Sequence, residues 1–207
     1  MGIPASTSCS SRHPLALIIR VCCVICCTIG FLAAPKAAAQ DMQNMQNMPT
    51  RFMVSAELEA YPAGFIGNVQ FSRLFSPKQV VTFHAGFNVT NRRDWGEHDD
   101  ETGEGAGVGL SWRYYPKEAP AGLHVGVRSD LWFLGINWQQ NSGISGTTDV
   151  TVLQPTAQLG YTYAPPQSRW ILDATVSLGA EINIKTAGEA VGEGAILLVG
   201  VGAGYRF

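Results

Sequence analysis

From residue 52 onward the chain repeats one pattern, in which apolar and polar residues alternate with a period of two. Val81, Phe83, Ala85, Phe87 and Val89 share one side of an extended backbone; Thr82, His84, Gly86, Asn88 and Thr90 share the other. Ala106, Val108, Leu110, Trp112 and Tyr114 likewise oppose Gly105, Gly107, Gly109, Ser111, Arg113 and Tyr115. A third clean case sets Trp170, Leu172, Ala174, Val176, Leu178, Ala180, Ile182 and Ile184 against Asp173, Thr175, Ser177, Gly179, Glu181, Asn183 and Lys185. Successive side chains of a strand point to opposite sides, so this period belongs to strands whose two faces meet different surroundings. Weaker alternation from Phe52 to Ala60, Phe65 to Phe75, Leu123 to Trp138, Asp149 to Tyr163 and Leu197 to Phe207 brings the count to eight. No apolar run after residue 40 reaches the ~20 residues that a membrane helix needs. The pattern predicts an all-β fold, an eight-stranded antiparallel up-and-down transmembrane β-barrel over residues 52–207.

The connections support this count. Compact proline-containing turns, "SPKQ", "PKEAPAG" and "APPQS", follow the second, fourth and sixth segments. Longer polar stretches, "NRRDWGEHDDETG", "QQNSGISGTT" and "TAGEAVGE", follow the third, fifth and seventh. The first connection, around "YPAG", is short. Short turns on one side and long loops on the other suit an outer-membrane barrel with its turns in the periplasm. A soluble lipocalin-type barrel also alternates, with its polar face outward. Composition separates the two, because the polar face here is mostly Gly, Ser, Thr, Asn and Gln. Small residues suit the crowded interior of eight strands better than a water-exposed surface. Phe75, Tyr114, Tyr161, Tyr163, Trp170 and Tyr205 fall toward the turn side, and Phe87 and Phe133 toward the loop side. These aromatics are expected to form interfacial girdles.

The N-terminal 39 residues read as a secretory signal peptide. Arg12 and Arg20 supply positive charge, a long apolar core follows, and "AAAQ" offers a cleavage site after Ala39. Cys9, Cys22, Cys23, Cys26 and Cys27 all lie inside it, so the remaining chain carries no cysteine for disulfides or thiolate metal sites. Residues 40–51, dotted with Met, read as a flexible polar leader. Three of the 14 basic residues precede residue 40, which leaves 11 against 16 acidic residues. A net charge of −5 excludes nucleic acid as the expected partner.

The final stretch "GAGYRF" sets Tyr205 and Phe207 on the apolar face. It resembles the C-terminal signature of bacterial outer-membrane proteins that the barrel-assembly machinery recognises. With signal peptide, eight segments and terminal Phe together, residues 52–207 resemble the small outer-membrane β-barrel superfamily of the OmpA-transmembrane-domain and OmpX type. The stretch "NVTNRRDWGEHDDETGEGAGVGLSWRYY" is similar to one found in uncharacterised Bacteroidetes-type barrel proteins. The resemblance implies a bacterial outer-membrane location among lipid and lipopolysaccharide, as a monomer without a cofactor. It implies no activity.

Candidate chemistry falls into three groups. Glu57, Glu59, His84, Arg113, His124, Arg128, Asp130, Asp173, Glu181, Lys185 and Arg206 are expected in the lumen as an ion-paired plug. Asp94, Glu97, Asp99, Asp100 and Glu101 form an acidic loop with oxygen ligands for a cation, but without the ordered spacing of a calcium loop. Arg92 and Arg93 beside it are placed to contact phosphate. A lipid-modifying enzyme would need a His beside a nucleophilic Ser at the outer leaflet. His84 and His124 point to the lumen, and the loop holding His98 has no Ser. The expected role is structural or surface-interacting through the long loops. The alternatives are a narrow channel or binder for a small or hydrophobic solute, and a lipid-modifying enzyme.

Overall fold

The computed structural model describes residues 52–94 and 96–207. The expected signal peptide, 1–39, and leader, 40–51, lie outside the described residues. Eight strands follow in chain order: β1 Phe52–Tyr61, β2 Gly64–Ser76, β3 Gln79–Arg93, β4 Asp100–Tyr114, β5 Gly122–Gln139, β6 Ser145–Tyr163, β7 Trp170–Ala187 and β8 Gly194–Arg206. Each pairs antiparallel with its neighbours, and β1 pairs with β8 from Met53↔Arg206 to Ala60↔Val199. The sheet is thus a closed up-and-down barrel, and closure leaves no edge along that length.

Its burial is inverted relative to a soluble barrel. Val69, Leu110, Leu123, Leu159, Trp170 and Leu178 are each about 60 % exposed, while Glu57, Glu59, His84, Arg113, Arg128 and Asp130 are buried. A continuous apolar belt around a closed barrel is a lipid-facing surface. Phe75, Tyr161, Tyr163 and Trp170 are exposed at its turn end, where Trp170 meets Tyr205 edge to face at 5.5 Å. Phe87 and Phe133 are exposed toward its loop end.

The strands extend beyond this belt on one side. The β1–β2 pairing stops at Tyr61↔Gly64, whereas β5–β6 pairing continues to Gln139↔Ser145 and β3–β4 to Arg93↔Asp100. Residues 91–93 and 100–103, expected in a loop, are therefore sheet, and the loop shrinks to residues 94–99. Ser145 to Thr148 are sheet as well, which leaves residues 140–144 as a loop. In this raised wall the outward residues turn polar: Asn91 and Arg93, Asp100, Thr102 and Glu104, Asn137 and Gln139, Thr147 and Asp149. Inward, Ile66, Trp132, Leu134, Ile136, Trp138, Val150, Val152, Val191, Ile196 and Leu198 form one apolar cluster, beside which Arg92, Glu101 and Thr148 stay polar. A second inward apolar cluster, Met53, Leu74, Val80, Tyr115, Ala119 and Ile171, fills the turn end.

Candidate functional site

Between the two apolar clusters lies a polar layer built from inward side chains of β1 to β7, against which β8 sets Gly200 and Gly202. Arg128 on β5 is its centre. Its Nε donates to Asp130 at 2.7 Å, and its Nη1 reaches Glu57 at 3.0 Å and Glu59 at 2.8 Å. Arg113 on β4 donates to Asp173 on β7 at 3.1 Å and lies 3.8 Å from Glu57. Each arginine shares its aspartate with a histidine: His84 Nε2 meets Asp130, and His124 Nε2 meets Asp173 at 3.2 Å. Every carboxylate of the layer thus faces a guanidinium, as buried charge requires.

Neutral side chains complete the set. Asn68 donates to Glu59 at 3.2 Å, Gln70 donates to Glu57, and Thr162 donates to Asp173 at 2.5 Å while Tyr115 lies 3.1 Å from Thr162. Absent side chains matter equally. A Cβ at Gly109 would fall on the His84 imidazole and the Asp130 carboxylate, and one at Gly107 would fall on the Trp132 ring. The small residues of β4 therefore make room for both the ion pairs and the aromatic above them. At the turn end of the layer, a cavity of about 20 Å³ lies among Met53, Glu57, Gln70, Arg113, Tyr115 and Asp173. That volume holds about one water molecule and no solute.

Of the eleven residues expected in one lumen network, eight meet there: Glu57, Glu59, His84, Arg113, His124, Arg128, Asp130 and Asp173. The other three sit elsewhere. Glu181 is inward but belongs to the loop end, where it accepts a hydrogen bond from Arg92 at 2.6 Å. Lys185 is exposed and outward. The β6–β7 register slips between Thr151 and Val152, so that Thr151 pairs with Lys185 and Val152 with Asn183, and the extra residue turns Lys185 away from the lumen. Arg206 stands at the turn-end rim, where it donates to the carbonyls of Pro165, at 2.8 Å, and Ser168.

The acidic loop is also redistributed. Glu101 is fully buried and accepts from the backbone N–H groups of Glu97 at 2.9 Å, His98 at 3.2 Å and Gly192 at 3.1 Å. Arg92 turns inward to join it, donating to Glu101 at 3.4 Å and to the Gly192 carbonyl at 2.8 Å. His98 stacks on Trp138 with ring centres 4.2 Å apart. Asp99 accepts from the Asn141 N–H at 2.7 Å, and Asp94, Glu97 and Asp100 face solvent. The cluster thus pins the 94–99 and 188–193 loops over the barrel mouth. Among the described residues, no group of three His, Cys, Asp or Glu side chains is placed to hold a metal ion.

Asn68, Gln70, Thr162 and Gln154 were not among the expected site residues, and Arg92, expected to face phosphate, instead binds Glu101, Glu181 and the Gly192 carbonyl inside the loop end. The first two share the polar phase of β2, and Arg92 continues the inward phase of Thr82, His84, Asn88 and Thr90. Extending the period-two phase past Thr90 would have found Arg92; the other four lie within the expected segments, on their polar phase.

The sequence matches no protein-family profile and no curated protein. Among solved structures, it is similar in shape to the N-terminal β-barrel domain of Pseudomonas aeruginosa OprF, at 16 % identity over 76 % of this chain and 98 % of that one, with a TM-score of 0.46. It is similar to Ail, the attachment invasion locus protein of Yersinia pestis, at 12 % identity over 76 % and 97 %, with a TM-score of 0.46. A major outer membrane protein from Thermus thermophilus gives 15 % identity over 77 % and 100 %, with a TM-score of 0.48. Likeness at this level carries no argument about role, and the fold rests on the strand pairing itself.

Proposed function

We propose that this chain is a monomeric β-barrel of the bacterial outer membrane with a structural and surface-interacting role. It neither conducts in its resting state nor catalyses. The observation that carries the reading is the pairing of a filled lumen with a displayed exterior. Trp132, His84, His124, Glu59 and Gln154 are fully buried inside, while an open polar sheet rises past the apolar belt. The charged groups of the lumen bind one another, which supports a plug. The raised wall, with Arg93, Asp100, Thr102, Asn137 and Thr147 outward, and the pinned loops are the surfaces offered to outer-leaflet lipopolysaccharide or to another cell surface. Tyr205 on β8 and Phe207 directly after it are the side chains offered to the barrel-assembly machinery.

Cell fractionation, followed by gel migration with and without boiling, tests the location and the barrel together. A heat-dependent shift confined to the outer-membrane fraction is expected. A soluble periplasmic protein with no shift overturns the reading. The surface role is tested by replacing residues 140–144 with Gly-Ser and measuring binding of the cells to immobilised glycans and host matrix, with a fall expected while the heat shift persists. Unchanged binding places the role elsewhere.

A further inference from the structure

The two ends of the barrel carry opposite charge. On the turn-end rim Arg73, Lys78, Lys117 and Arg169 are exposed and Arg206 is half-buried, and Glu118 is the one acidic residue there among the described residues. At the loop end Asp94, Glu97, Asp100, Asp149, Glu189 and Glu193 are exposed, beside exposed Arg93 and Lys185. The basic side chains are spread around the rim: Lys78 in the β2–β3 turn, Lys117 in the β4–β5 turn, Arg169 in the β6–β7 turn and Arg206 at the end of β8. Arg73 marks their depth. It points outward on β2 between Phe71 and Phe75, and its guanidinium lies 5.7 Å from the centre of the Phe52 ring. An arginine on the lipid face of a barrel is tolerated near the interface and is costly in mid-membrane. Arg169 is fixed in its turn: its carbonyl accepts from the Arg206 N–H at 2.8 Å, the Arg206 side chain donates to the Pro165 carbonyl, and Trp170 next to it is exposed.

We propose that the turn-end rim is a binding ring for anionic phospholipid headgroups. Arg73, Lys78, Lys117 and Arg169 take the phosphates, and the exposed rings of Phe52, Phe71, Phe75 and Trp170 lie against the acyl chains. Guanidinium and ammonium groups donate charge-assisted hydrogen bonds to phosphate oxygens, and aromatic rings settle at headgroup level. Charge complementarity selects this occupant. A zwitterionic headgroup brings its own cation toward a rim that is already basic, whereas an anionic headgroup supplies the charge that the rim lacks. The exposed carboxylates disfavour the same lipid at the loop end. Short turns of an outer-membrane barrel face the periplasm, so the lipid is that of the inner leaflet. Such a ring presupposes the membrane-spanning barrel proposed above and adds a charge preference at one end of it.

The test uses the protein extracted from the outer-membrane fraction and reconstituted in vesicles of phosphatidylethanolamine and phosphatidylglycerol in equal parts. Native mass spectrometry then reads which lipids stay bound on release. One Lys or Arg close to an anionic surface strengthens the attraction about fivefold, so phosphatidylglycerol is expected on the parent in about fivefold excess. Arg73→Gln, Lys78→Gln and Arg169→Gln combined bring the ratio near parity. Arg73→Lys with Arg169→Lys keeps the excess, because the charge stays while the side-chain shape changes. Lys185→Gln, at the loop end, leaves it unchanged. The heat shift on gels verifies that each variant is a closed barrel. The ring is overturned if a heat-shifting parent shows no excess, if the triple Gln variant is a closed barrel and keeps it, or if the Lys variant or Lys185→Gln loses it. A parent without the heat shift overturns the membrane-spanning barrel itself, and the ring with it.

Discussion

The waist of the barrel and its loop end are built from the same strands with opposite chemistry. On β5, Leu123, Val125 and Val127 point out while His124, Arg128 and Asp130 point in. Eight residues further on, Asn137 and Gln139 point out while Trp132, Leu134, Ile136 and Trp138 point in. β6 repeats the change, from Thr147, Asp149 outward over Val150, Val152 inward to Leu159, Tyr161 outward over Gln158, Thr162 inward. The phase of alternation never breaks along these strands. What changes is the outside medium. Against hydrocarbon the exterior must be apolar and the polar residues go inside, whereas against water the ordinary burial rule returns. One barrel thus joins a membrane-type and a soluble-type section through strands that run from one into the other.

The contrast can be tested from its strongest consequence down. At the waist, Arg128→Met leaves the carboxylates of Glu57, Glu59 and Asp130 with a lost partner, and a loss of ~3–5 kcal/mol is expected from urea unfolding in lipid vesicles. A neutral result would mean that the layer is hydrated freely enough to screen its charges. Next, Leu110→Arg on the lipid face is expected to cost ~2–4 kcal/mol, while Thr147→Arg on the raised wall stays within ~0.5 kcal/mol. Equal losses at the two sites would break the comparison, since both would then lie in hydrocarbon.

Glu101→Gln weakens the acceptor of three backbone N–H groups at the loop end, with an expected local loss of ~1–3 kcal/mol. Hydrogen exchange should accelerate in residues 94–99 and 188–193 and stay unchanged at the waist. Protection that survives in both loops would show that packing of His98 on Trp138 holds the mouth by itself. The smallest effect belongs to Lys185→Gln, within ~0.5 kcal/mol, because the side chain is outward and exposed. A loss of several kcal/mol there would return Lys185 to the lumen.

The alternation over Val81–Thr90, the glycines of β4 and the spacing of turns made the strand number, the antiparallel order and the inward phase of Glu57, His84, Arg113, Arg128 and Asp173 legible in the sequence. These are local properties, since a side chain's face follows from its parity along one strand. Which inward charges meet was not legible, because partners such as Glu57 and Arg128 lie on β1 and β5 and are brought together only by closure of the ring. Lys185 was misread for the same reason: its parity is right for the isolated strand, and only the slipped pairing with β6 reverses it. The inward turn of Arg92 and Glu101, within a stretch that composition marks as a solvated loop, was settled by pairing of β3 with β4 and by the N–H groups of a loop 91 positions away at Gly192. By itself the sequence determined that eight two-faced strands must close around a polar interior, because period and composition act residue by residue. The tertiary structure decided where the membrane-type section ends, which charges pair and which loops cover the mouth, because each depends on contacts between segments far apart in the chain.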